Sequence, residues 1–85
     1  MQPVTIYTTK TCPFCFAAKR LLDKKGVSYT NFDVSRDPAL RAEMTQKANG
    51  CTSVPQIWIG DFHVGGSDDL HALERDGKLQ AMLNT

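Results

Sequence analysis

The stretch Cys12-Pro13-Phe14-Cys15 lies between a short apolar run and an amphipathic one, and that junction constrains the fold more than any other feature of the chain. Val4-Thr5-Ile6-Tyr7 has the β-branched and aromatic content of a strand, bounded by Pro3 and by Thr8-Thr9. Beyond the junction, Phe14, Ala18, Leu21 and Leu22 recur at helical spacing, and Gly26 supplies a stop. A thiol at a strand-to-helix junction meets the unpaired N–H groups of the first helical turn and the positive end of the macrodipole. That environment favours thiolate over thiol. The second thiol follows three residues later on the same helical face, within disulfide reach, so the segment reads as a redox centre.

Composition narrows the class. Ten basic residues against nine acidic give a net charge of +1, with no basic stripe, which excludes a nucleic-acid binder. No apolar run approaches the length that spans a bilayer. Met1-Gln2-Pro3 leads directly into the first strand without the basic and apolar regions of an export signal, so a cytoplasmic, reducing compartment is expected. Three cysteines in such a chain fit a working dithiol with Cys51 as bystander, not a disulfide-stapled scaffold. At 85 residues the chain is long enough for one domain, residues 1–85, with a core of its own.

The pattern predicts strand 3–8, helix 13–25, strand 28–34, helix 38–48, strands 55–59 and 62–64, and helix 68–76. Asp37-Pro38 opens the second helix, Leu40, Met44 and Ala48 form its apolar face, and Asn49-Gly50 ends it. Ile57-Trp58-Ile59 is a continuous apolar run, as for a strand covered on both faces. Gly60-Asp61 is a two-residue hairpin turn. Ser67 is the expected N-cap of the third helix, with Asp68 and Asp69 in its first turn and Leu70 and Leu73 facing the core. Leu79, Met82 and Leu83 extend that packing. Trp58, Phe32 and Ile57 are expected in the core, and His63 and His71 have no constellation around them. A right-handed crossover makes the first two strands parallel and the hairpin adds antiparallel partners. The fold class is α/β, βαβ-α-ββα, a mixed four-stranded sheet with helices on both faces.

That order, with Cys12-Pro13-Phe14-Cys15, Thr52-Ser53-Val54-Pro55-Gln56-Ile57 and Gly65-Gly66-Ser67-Asp68-Asp69 in sequence, resembles a glutaredoxin of the thioredoxin-fold superfamily over essentially the whole chain. The resemblance implies a thiol–disulfide oxidoreductase of the dithiol, glutathione-dependent class. Cys12 would be the nucleophile and Cys15 the resolving thiol. Glutathione would serve as reducing co-substrate, with no bound cofactor and no metal. The implied partners are glutathione and disulfide-containing or glutathionylated proteins, and the implied state is a monomer. The resemblance also implies a cis bond before Pro55 and a glutathione site built from Lys10, Pro13, Phe14, Thr52, Ser53, Val54, Pro55, Gly66, Ser67 and Asp68. Phe14 stands where the family usually has tyrosine, and Thr9 where it commonly has a base. Lys10, Gln46 and Lys47 are therefore the candidates for the glycine carboxylate.

Each motif also has a plainer reading. Pro55 can simply begin a strand, and Ser67 would cap a helix in any protein. Cys12, Cys15 and Cys51 with His63 or His71 could supply enough ligands for zinc, although zinc pairs usually sit on a knuckle instead of a helix start. A glutaredoxin-like [2Fe–2S] carrier is disfavoured by Pro13, which such members typically lack.

Overall fold

The computed structural model describes residues 2–84, so Met1, which opens the expected leader-free start, lies outside the described residues. The chain runs β1 (Val4–Thr8), α1 (Pro13–Lys24), β2 (Tyr29–Asp33), α2 (Pro38–Lys47), β3 (Gln56–Ile59), β4 (Phe62–Gly65), α3 (Ser67–Arg75) and α4 (Leu79–Asn84). The four strands form one sheet in the order β2-β1-β3-β4. β1 and β2 are parallel, as the intervening helix requires, with Val4 opposite Tyr29 and Thr8 opposite Asp33. β3 lies antiparallel to β1, from Tyr7 opposite Gln56 to Val4 opposite Ile59, and pairs antiparallel with β4 across the Gly60-Asp61 turn.

Period-two alternation divides the sheet between two cores. Val4 and Ile6 of β1 and Ile57 and Ile59 of β3 face α1, α3 and α4. There they pack with Ala18, Leu21, Leu22, Leu70, Leu79 and Leu83. Tyr7 and Trp58 point to the opposite face, where Met44 of α2 and Ala48 at its C-cap cover them together with Val34. All four residues of β3 are buried, as the apolar run predicted for a central strand.

The helix ends follow their local chemistry. The Asp37 carboxylate accepts the Leu40 N–H at 3.0 Å, and Pro38 occupies the first helical position, where its missing N–H costs nothing. α2 closes through Asn49 and Gly50, both in the left-handed region at φ 57° and 96°. Lys25, just past α1, forms an ion pair with Glu74 of α3 at 3.1 Å.

Three expectations change. The segment around Leu79–Leu83 is a helix of its own, α4, whose Leu79 and Leu83 are fully buried. Phe14, at helical spacing with the core residues of α1, is 61% exposed, and Cys15 takes the inward position in that first turn. Phe32, expected in the core, lies at the surface because β2 is an edge strand. Its ring stacks on Tyr7, with centroids 5.2 Å apart.

The two kinds of contact predict different costs. Met44→Ala, which empties a fully buried site against Tyr7 and Trp58, should lower the unfolding free energy by about 2–5 kcal/mol. Asp37→Ala, which removes only a cap, should cost about 1 kcal/mol. Urea denaturation followed by the fluorescence of the single tryptophan measures both.

Candidate active site

Cys12 is the N-cap of α1, with extended backbone (φ −100°, ψ 109°) and half-buried. Its carbonyl accepts the Cys15 and Phe16 N–H groups at 3.1 and 3.2 Å, and its Sγ accepts the Cys15 N–H at 3.2 Å. The sulfur thus stands in for the oxygen of an ordinary capping residue. Ionised, it would receive that N–H and the positive end of the helix directly. Pro13 follows at the exposed first helical position, where its missing N–H would have had no intrahelical partner.

Cys15 is 1% exposed. Burial first, and then the hydrogen bond to Cys12, pushes its thiol up to about 12. The Thr9 backbone and the Lys19 charge oppose that rise with weaker effects. Cys15 therefore holds its proton well above neutral pH.

On the far side of the sulfur stands the loop that enters β3. The Cys12 thiol donates to the Val54 carbonyl at 3.7 Å, and the Val54–Pro55 bond is cis. No partner among the described residues takes the Val54 N–H. From this loop a groove of about 560 Å³ extends to the start of α3, lined by Phe14, Ser53, Val54, Pro55, Gly66, Ser67 and Asp68, and also by Cys51, Gln56, His63 and Asp69. At its end the first-turn N–H groups of α3 are presented beside the exposed Asp68 carboxylate.

The motifs and their geometry coincide with known proteins. A family model described as glutaredoxin matches residues 4–64. The chain belongs to the glutaredoxin family. It is 60% identical to a glutaredoxin of Pseudomonas aeruginosa over 84 residues, covering 99% of both chains, and 48% identical to glutaredoxin 3 of Escherichia coli K12, covering 98% of this chain and 99% of that one. Among solved structures it is similar to the solution structure of the Brucella melitensis glutaredoxin (TM-score 0.86, 51% identity, 98% of this chain and 89% of that one). It is also similar to the buckwheat glutaredoxin–glutathione complex (TM-score 0.87, 31% identity, 98% and 77%). The fold is accordingly the thioredoxin-like one of glutaredoxins, and the protein is an enzyme of their thiol–disulfide oxidoreductase class.

Within this glutaredoxin the site residues anticipated from the sequence separate into two groups. Phe14, Ser53, Val54, Pro55, Gly66, Ser67 and Asp68 share the groove, and the Cys12 sulfur meets it at the Val54 carbonyl, with Pro13 and the buried Cys15 following in α1. Lys10 and Thr52 lie outside it. Lys10 lines a separate hollow with Asp33, Ser35, Arg36 and Asp37, and its N–H donates to Ser35 Oγ at 2.9 Å. Thr52 lines another hollow beside α2, and its carbonyl accepts from Arg41 at 2.8 Å. Gln46 lines that second hollow too, whereas the Lys47 ammonium lies 3.3 Å from the Tyr7 hydroxyl and over the Tyr7 and Trp58 rings.

Two further expectations are corrected. Gly66, not Ser67, is the N-cap of α3: the Asp69 carboxylate reaches back to the Gly66 N–H at 3.0 Å, so Ser67 is already helical. Its hydroxyl lies 3.3 Å from His71 Nδ1. Gly65 has φ +110°, and a Cβ there would collide with the Asp69 carboxylate, so that cap requires glycine before it. His63 does have a constellation, since its ring stacks on Trp58 at 4.6 Å and its Nε2 lies 2.7 Å from Gln56 Oε1. Spacing along β4 cannot reveal that arrangement, because the partners come from β3. Among the described residues no three His, Cys, Asp or Glu gather as metal ligands, so the candidate zinc set is not brought together.

The raised Cys15 thiol makes stability depend on alkali. An unfolded chain ionises its cysteines near the ordinary ~8.5, whereas folded Cys15 keeps its proton to about 12. Above about pH 9 the unfolded state therefore binds fewer protons than the folded one, and stability falls as pH rises. Urea midpoints at pH 8 and pH 10.5 should show this fall, and Cys15→Ser should show less of it. The rise in the Tyr29 phenol, driven by its burial and by Asp23, acts equally in both proteins.

Proposed function

We propose that this glutaredoxin, as one domain over residues 1–85 and as a monomer in the reducing cytoplasm, uses glutathione to reduce protein disulfides and glutathione mixed disulfides. The observation that carries the reading is the groove that begins at the Cys12 sulfur and the Val54 backbone and ends at the first turn of α3 beside Asp68. Glutathione has matching chemistry in the same order. Its sulfur is the reacting atom, its cysteinyl unit is an extended peptide suited to a free backbone N–H, and its γ-glutamyl end carries a carboxylate and an ammonium. The groove has room for such a ligand, and the buckwheat relative was solved as a glutathione complex.

Cys12 attacks the glutathionyl sulfur of a mixed disulfide. A Cys12–glutathione disulfide forms, the original S–S bond breaks, and the departing thiolate takes up a proton. A second glutathione thiolate then attacks the glutathionyl sulfur. Glutathione disulfide leaves and Cys12 returns as a thiolate, stabilised by the Cys15 N–H and the helix terminus. With a protein disulfide, Cys12 forms the mixed disulfide with the protein. Cys15 gives up its proton and attacks Cys12 Sγ, releasing the second protein thiol. The Cys12–Cys15 disulfide is returned to two thiols by two glutathione molecules, which leave as one glutathione disulfide. The high proton affinity of Cys15 suits this order, because it keeps the resolving thiol inactive until Cys12 is occupied.

In the groove Val54 offers its N–H, Gly66 and Ser67 offer the α3 terminus, Asp68 faces the ammonium, and Pro55, Ser53 and Phe14 shape the walls. Lys10 and Thr52 are left out of the proposed contacts because they line other hollows.

Cys12→Ser should abolish turnover of a glutathionylated peptide in an assay coupled to glutathione reductase. Cys15→Ser should retain that turnover and lose reduction of protein disulfides. Full activity in both variants would overturn the roles. Asp68→Asn should raise the KM for the glutathionylated peptide about two- to fivefold, the worth of one exposed charge pair, with kcat unchanged.

A further inference from the structure

In the wall of the groove, a hydrogen-bond relay links a ring on β4 to the loop that meets the substrate. Gln56, at the start of β3, is 3% exposed, so both ends of its amide need partners. The Nε2 group donates to the Ser53 carbonyl at 2.9 Å and lies 3.4 Å from Ser53 Oγ. A carbonyl can only accept, so Nε2 must face Ser53 and Oε1 must face His63. His63 Nε2, 2.7 Å from that oxygen, is therefore the protonated nitrogen and donates. The ring is held in turn by its stack on Trp58 at 4.6 Å, directly across the β3–β4 ladder.

The consequence lies in the peptide unit between Ser53 and Val54. This unit is trans, so its C=O and N–H point in opposite directions within one rigid plane. Gln56 draws the Ser53 carbonyl inward. The same plane then turns the Val54 N–H outward, where no partner among the described residues takes it. We propose that Gln56 and His63 are positioning residues that aim the Val54 N–H at the backbone of the bound tripeptide. Neither needs to touch the reacting sulfur. This role rests on the glutathione reading above and assigns it two residues beyond the proposed contacts.

Two variants test the relay. His63→Phe keeps a ring over Trp58 and removes the donor, and Gln56→Met keeps the length and removes both ends of the amide. Each pre-reduced protein is mixed, without other thiols, with either a glutathionylated cysteine peptide or bis(2-hydroxyethyl) disulfide, which has no peptide groups. Oxidation of the protein dithiol is followed by mass spectrometry. The half-saturating concentration of the glutathionylated peptide should rise about five- to tenfold in both variants, as for one lost or misaimed hydrogen bond. The maximal rate should stay within twofold, and the rate with bis(2-hydroxyethyl) disulfide should not change. The Val54 amide resonance should also move in His63→Phe without any ligand present. Unchanged half-saturation, or equal slowing with both disulfides, would overturn the relay. Should Gln56→Met fail to fold, His63→Phe alone decides, because its substitution leaves the stack in place. A wild-type protein that does not distinguish the two disulfides would instead remove the glutathione reading, and the relay with it.

Discussion

The site exists because β1 and β3 run antiparallel side by side. In that pairing Tyr7, next to last in β1, stands opposite Gln56, the first residue of β3. The chain leaving β1 toward Cys12 and the chain entering β3 from Val54 must therefore emerge at the same edge of the sheet. Forty-two residues separate Cys12 from Val54, yet the sulfur reaches the Val54 carbonyl at 3.7 Å. The ladder is held by the two cores it divides, with Ile6 and Ile57 on one face and Tyr7 and Trp58 on the other. Any slip by one residue would turn both sets over and move the loop away from the sulfur.

The two cysteines differ chemically because one turn of helix carries them from surface to core. Cys12, outside the first turn, receives an N–H and remains half-buried. Cys15, inside it, is desolvated and keeps its proton. No catalytic base is needed to establish this asymmetry, only a helix N-terminus at the rim and a packed interior below it. The groove repeats the device at its other end, where α3 presents its own N–H groups and the carboxylate of Asp69 closes the Gly66 cap. Across the sheet, Phe32, Tyr7, Trp58 and His63 place one ring from each strand in contact with the next. Their row ends at the wall of the groove.

Much of this was legible along the chain, and for local reasons. Strand, helix and turn follow from periodicity and from Pro13, Pro38 and Gly60, and the elements from β1 to α3 start and stop within about one residue of those expectations. The misreadings share one cause, which is that a neighbour in space outweighed a neighbour in sequence. Ser67 has the chemistry of a cap, but Asp69 folded back first. Phe32 is apolar, yet it lies on an edge strand. Lys10 stands two residues from Cys12 in the chain and nonetheless lines a different hollow.

What the sequence determined by itself is the chemistry available: two thiols three residues apart at a helix start, a proline-containing loop, and a glycine-flanked helix terminus with two carboxylates. Those properties are set by residues within one turn of each other, where covalent spacing fixes geometry. Tertiary structure alone decided which of these pieces meet. It gathered Ser53, Gln56 and His63 into one hydrogen-bonded chain, left Lys10 and Thr52 aside, and buried Cys15 while leaving Cys12 at the rim. The reason is that strand pairing and core packing act between segments far apart along the chain, and no local pattern encodes the distance that results.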